Sequence, residues 1–171
     1  MKKHVLIPAV TVAEWGGLHE WVADAVSWLV DAGHRVTVVG AGARFTAAVA
    51  AAGADVVPMK DWLAWKGSLP AILAAGEDSP FDLIFTHGPQ ARAVGLAVAA
   101  HTGAPIYVMV HGAYHDYAFE WINRARRILV ASPSLADYMT RHAKVPAEMI
   151  RVVPNGLPES IRHISIPGLD A

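Results

Sequence analysis

The sequence predicts an α/β domain, a parallel sheet of about seven strands with helices on both faces. Three observations lead there. Strand-like and helix-like segments alternate from one end of the chain to the other, which is the pattern of linked β-α-β units. The strand-like runs are short, rich in β-branched residues and continuously apolar, as strands buried on both faces are. The chain has 171 residues, 54% of them apolar, enough to fill one core between two helical layers.

Taken in order, the strands fall at residues 4–7, 35–39, 55–57, 83–86, 106–110, 127–130 and 150–153. The first helix is marked by Leu18, Trp21, Val22, Ala25, Val26 and Leu29, whose spacings of three and four make one apolar face. Gly33 supplies its C-cap. Alanine-rich stretches from Ala41 to Ala54 and from Ala91 to Ala100 read as helical packing surfaces. Residues 90–102 are apolar nearly all round and end at Gly103, which suits a helix clamped against the sheet. Ser132 followed by Pro133 reads as an N-cap with proline in the first helical position, so a helix runs on to about His142. The segment from Met59 to Gly67 is the least regular. After Pro154-Asn155-Gly156 the pattern degrades, so residues 1–156 form the domain and 157–171 a linker or C-terminal edge.

Composition removes several classes of function. Lys and Arg total 14 against 15 for Asp and Glu, so there is no overall field to attract nucleic acid. The absence of cysteine excludes disulfides, a thiol nucleophile and zinc sites built on thiolates. Lys2 and Lys3 precede an apolar run that is short and reaches Pro8, a first strand and not a signal peptide. Other apolar stretches are broken by Arg92, His101 and Gly103 before the roughly 20 residues of a membrane span. A soluble, cytoplasmic protein is the expectation.

Two of the strands end alike: Leu83-Ile84-Phe85-Thr86 runs into His87-Gly88, and Ile106-Tyr107-Val108-Met109-Val110 into His111-Gly112. In an open α/β sheet the carboxyl ends of the strands line the ligand crevice, so these histidines are offered to a substrate. A neutral imidazole there could bond a hydroxyl, and a protonated one could offset phosphate charge. Either could instead hold loop backbone. Gly16-Gly17 precedes the first amphipathic helix, whose start could receive an anion, a phosphate above all, or the pair could simply let the chain turn. Trp15, Trp62 and Trp65 sit in or near loops, where they could stack on a sugar, meet a lipid surface or fold back into the core.

Two alternatives fit poorly. His111 and His115 are four apart with Asp116 and Glu120 nearby, but that spacing joins two ligands only on a helix, and His111 closes a strand; no metal is expected. Gly40-Ala41-Gly42 mimics the start of a dinucleotide fingerprint, yet Phe45 stands at the third glycine position and Asp55 comes too early to hold a ribose. Arg124, Arg126 and Arg127 make a dense basic cluster read as solvated.

In family order, the chain carries Gly16-Gly17-Leu18 entering a helix, Ala32-Gly33-His34-Arg35-Val36-Thr37-Val38, Phe81-Asp82-Leu83-Ile84 with His87, Val110-His111-Gly112, Ala131-Ser132-Pro133-Ser134 and Val152-Val153-Pro154-Asn155-Gly156. This set resembles the N-terminal half of retaining family 4 glycosyltransferases, which have the two-domain GT-B fold. The resemblance implies a Rossmann-like N-terminal domain that supplies most of the acceptor site, while a second domain, unmatched here, binds a nucleotide-sugar donor. It implies that Gly16 and Gly17 face the donor phosphates and that His111 lies beside the transferred sugar. His87, with Trp15, Trp62 and Trp65, is assigned to the acceptor side. No cofactor is implied.

The expected partners are a sugar or lipid-linked acceptor and a C-terminal donor-binding domain or subunit, with peripheral membrane contact allowed. The isolated chain is expected to be inactive and, because its interdomain face should be apolar, prone to self-association. The rival reading is a non-catalytic Rossmann-like module that binds a sugar or a partner.

Overall fold

The computed structural model describes residues 1–9, 15–59, 65–113 and 124–154. Seven strands form one sheet: β1 (His4–Ala9), β2 (Arg35–Gly40), β3 (Asp55–Pro58), β4 (Leu83–His87), β5 (Ile106–Val110), β6 (Ala125–Val130) and β7 (Ile150–Val152). Every neighbouring pair is parallel, in the order β3-β2-β1-β4-β5-β6-β7. The chain winds outward from β1 to β3, then returns to β4 and winds the other way. Between β1 and β4 the winding reverses, and the crevice of such a sheet opens at that reversal, beyond the strands' carboxyl ends.

The helices are α1 (Gly17–Asp31), α2 (Ala43–Ala51), α3 (Trp65–Ala74), α4 (Gly88–Thr102) and α5 (Pro133–Arg141). Right-handed crossovers decide their sides. Links that step from β1 toward β3 place α1 and α2 on one face, where Val22, Val26, Phe45 and Val49 pack on Val5, Ile7, Val36 and Val38. Links that step the opposite way place α3, α4 and α5 on the other face, around Leu6, Ile84, Val94, Val98, Val108, Ile128 and Leu135. Alternate residues of β1 therefore feed two cores, and the strand is buried throughout. On the α1 side, the far strands contribute Phe85, Met109 and Leu129 to an apolar groove of about 360 Å³ walled by Trp21, Ala25 and Trp28. Trp28 is 57% exposed.

Local signals account for most of the ends. Ser132 caps α5 through its Oγ, which accepts the Leu135 N–H at 3.2 Å, and Pro133 opens the helix. Gly103 closes α4 at φ 72°, a conformation glycine alone adopts without strain. Asp82 pins the amino ends of β1 and β4: its carboxylate accepts from the Lys3 ammonium and the His4 N–H, both at 2.8 Å, while its own N–H donates to the His4 carbonyl. The Lys3 ammonium holds that carboxyl below the usual carboxylate range.

Several predicted boundaries move by one or two residues, among them the end of β1 at Ala9 and the start of α4 at Gly88, and two shifts have a cause in the sequence. β6 begins at Ala125, two residues early, because a buried Ala125 precedes an exposed Arg126 and the alternation is hidden inside the arginine cluster. The segment expected to be irregular through Gly67 is helical from Trp65; Gly67 and Pro70, both inside α3, mask its helical signal. The expectations for residues 60–64, 114–123 and 155–171 lie outside the described residues, among them those for Trp62, His115, Asp116, Glu120 and the terminal segment. Among the described residues no helix is long and apolar enough to cross a membrane.

Candidate functional site

α1 follows β1 in the chain, and β1 borders the point where the sheet reverses. Gly16 is its N-cap, in a fully extended conformation with φ and ψ both −178°, and no side chain caps the helix. The Gly16 carbonyl accepts from the N–H groups of His19 (2.8 Å) and Glu20 (3.2 Å). The N–H groups of Gly17 and Leu18 have no partner among the described residues, at the positive end of a 15-residue helix. A Cβ at either glycine would meet no atom of the described residues within 4 Å, and neither has a positive φ. Glycine is thus required here neither by packing nor by backbone strain. What its lack of a side chain adds is the absence of any group that would shield the first N–H donors of the helix.

His87 and His111 do converge. Parallel pairing of β4 with β5 sets them side by side, and Nδ1 of His87 lies 3.1 Å from Nε2 of His111 with the rings stacked at 26°. Trp21 of α1 covers both, its ring centroid 4.8 Å from that of His87 and 5.3 Å from that of His111. Phe85 closes on His87 at 4.6 Å. His87 has no exposed surface and its Nε2 finds no partner, while His111 is half-buried. His87, assigned from sequence to the acceptor side, is fully buried against His111 and beneath Trp21. The cause is Trp21, whose place over the strand ends depends on how α1 docks.

His111 also lines a cavity of about 250 Å³ with Gly112, Ala113, Ser132, Ser134, Leu135 and Tyr138. Its described lining is neutral and bears hydroxyls, Ser132 and Ser134 with their Oγ atoms 2.9 Å apart. The start of α5 offers little to an anion. Pro133 lacks an N–H, and the N–H groups of Leu135 and Ala136 are taken by the side chain and carbonyl of Ser132.

The tryptophans differ from one another. Trp15 stacks on His19 (5.9 Å), donates its Nε1–H to Glu20 (3.1 Å) and carries the Arg44 guanidinium 4.4 Å from its ring centre. Trp65 is half-buried against the core at the start of α3. Sequence reasoning missed His19, which is 2% exposed, edge-on to Phe45 at 4.8 Å, with an unpartnered Nε2. Its signal was available, since it lies one helical turn before the apolar positions Val22 and Ala23. His4, by contrast, is a satisfied core histidine: Nδ1 donates to the Ser79 carbonyl and Nε2 accepts from the Thr37 hydroxyl. The dinucleotide mimic is also structural, because the Phe45 ring lies where a Cβ on Gly40 would stand, 2.6 Å away. Among the described residues no three His, Asp or Glu side chains gather as a metal would require.

Burial pushes His4, His19, His87 and His111 below the ordinary histidine value of 6.5, and His87 furthest, with the neighbouring His111 adding to the effect. All four are neutral at pH 7. In the unfolded chain they take up protons near pH 6.5, whereas in the folded chain they resist, so the unfolded state binds more protons and stability rises with pH. Stability is therefore expected to be full above pH 6.5 and to fall as the pH drops below it toward the folded values. Urea unfolding at a series of pH values checks this; a midpoint unchanged between pH 7.5 and 5 would contradict it.

Comparison with known proteins bears on the fold and the family. A search of curated protein sequences returns no match. Among solved structures, a glycosyltransferase from Rickettsia africae superposes with a TM-score of 0.73 at 15% identity, covering 91% of this chain and 44% of that one. HepE from Anabaena, in complex with UDP and glucose, gives 0.71 at 16% identity over 91% and 45%. MurG from Acinetobacter baumannii gives 0.64 at 15% over 94% and 47%. The chain thus spans less than half the length of these proteins and has the fold of one Rossmann-like half of a GT-B glycosyltransferase. The model of Glycosyltransferase Family 4 matches residues 15–160, and the chain belongs to that family.

Proposed function

We propose that this chain is the acceptor-binding half of a retaining glycosyltransferase that takes a nucleotide-sugar donor and needs a donor-binding domain or subunit to act. The observation that carries the reading is the start of α1, where among the described residues the N–H groups of Gly17 and Leu18 have no partner and no atom crowds a Cβ at Gly16 or Gly17, on the carboxyl edge of the sheet where His111 also lies. The N–H groups of Gly17 and Leu18 would hold the diphosphate oxygens, and the helix dipole would offset the charge that develops as the diphosphate leaves. The ring of His111 would touch the sugar in transfer. The acceptor hydroxyl would enter beside it, through the cavity lined by Ser132 and Ser134. Catalysis then rests on positioning and on stabilising the leaving group, with no protein nucleophile and no metal required. The structure of HepE with UDP and glucose, a protein of similar fold, supports a nucleotide sugar as donor.

Titration of the isolated chain with UDP, followed by amide NMR, tests the phosphate seat. Weak binding is expected, on the order of millimolar, with the largest shifts at Gly17 and Leu18. Gly17→Ala should leave the fold as stable or up to about 1 kcal/mol more so, since the position is helical and its φ is not positive. The same change should weaken UDP binding about fivefold or more, the equivalent of about 1 kcal/mol. Shifts elsewhere, or none, would refute the seat. Tight binding with turnover by the chain alone would refute the half-site.

A further inference from the structure

We propose that His87 is a positioning residue that holds His111 in its Nδ1–H form, so that the ring nitrogen His111 has left for a ligand is an N–H donor and not an acceptor. The inference deepens the proposed function, since it rests on His111 being the ring that meets substrate. A neutral imidazole carries one N–H, and only one hydrogen can lie between Nδ1 of His87 and Nε2 of His111 at 3.1 Å. If His111 supplied it, His87 would carry its own hydrogen on Nε2. That atom is buried among Trp21 and Phe85 and has no acceptor. A buried N–H without a partner is the rarer orphan in proteins, more so than an acceptor left short. If His87 supplies the hydrogen, the orphan is a lone pair, and the contact is a normal N–H···N bond.

His111 is then left with Nδ1–H, its remaining ring nitrogen. In that form it can donate to a sugar hydroxyl or a leaving phosphate oxygen, and it cannot take a proton there. Burial of both rings keeps the pair neutral, so the arrangement persists at neutral pH. His87 thereby acts on the reaction without touching a ligand.

Long-range proton–nitrogen NMR of the histidine rings, on the ligand-free chain at pH 7.5, reads this directly. The wild-type spectrum should show His111 protonated on Nδ1 and bare on Nε2. His87→Phe removes the donor, and the two His111 nitrogens should then exchange character toward Nε2–H. His87→Asn, whose amide N–H can donate, should restore the wild-type pattern. A purely structural role for His87 would move none of these signals. His111 protonated on Nε2 in the wild type would overturn the inference even if neither variant folds, as would an unchanged pattern in His87→Phe. Because this readout needs no ligand, it can fail while UDP still shifts Gly17 and Leu18, or hold while UDP does not bind.

Discussion

Replacing His111 by Ala is expected to lower kcat/KM of the complete enzyme, this chain joined to its donor-binding domain, by roughly 100- to 1,000-fold, or about 2.7–4 kcal/mol of transition-state stabilisation. The expectation follows from placement. His111 is the half-buried member of the pair, lies at the carboxyl end of a central strand and lines the cavity that Ser132 and Ser134 share. If it contacts the reaction only as charge develops, kcat should fall while KM changes little. The fold should survive, because the ring has solvent on one side and Trp21 can close over His87. Steady-state kinetics of the variant decide between the enzyme and the non-catalytic module. An unchanged transfer rate would favour a role in binding or structure.

Phe45→Ala is expected to cost about 3–5 kcal/mol of stability, with a fall in melting temperature of roughly 10 °C. Phe45 is fully buried in the core under α1 and α2. It fills the space over Gly40, which a Cβ would contest, and backs the ring of His19. Removing it leaves a cavity that the backbone at Gly40 cannot close, and it opens the floor beneath the first turn of α1. Thermal and urea unfolding of the variant measure the effect. A loss below about 1 kcal/mol would mean that the site collapses to fill the void.

These two residues show how differently the molecule declares itself. Seven strands and the caps of α4 and α5 were legible because each rests on a local rule: a continuous apolar run, Gly103 after a helix, Ser132-Pro133 before one. The arginines around Ala125 and the Gly67 and Pro70 of α3 concealed two boundaries, because there tertiary burial outweighed local preference. At the site, Gly16, Gly17 and His111 stood out by their positions at the end of a strand or the start of a helix. His19 and Trp21 did not, since on a helix an aromatic ring at core spacing looks like any other core residue.

The sequence by itself determined the order of strands and helices, the parallel sheet and the histidine at the end of each of two adjacent strands. Its information is local, and backbone preference and hydrophobic pattern act over a few residues. The tertiary structure decided which histidine is buried and which keeps an exposed face. α1 lays Trp21 across the strand ends, burying His87 and leaving His111 half-buried, and it leaves the glycine pair uncrowded by the described residues. Depth and free volume are properties of packed neighbours brought together from distant parts of the chain, so no spacing along the chain could have shown them.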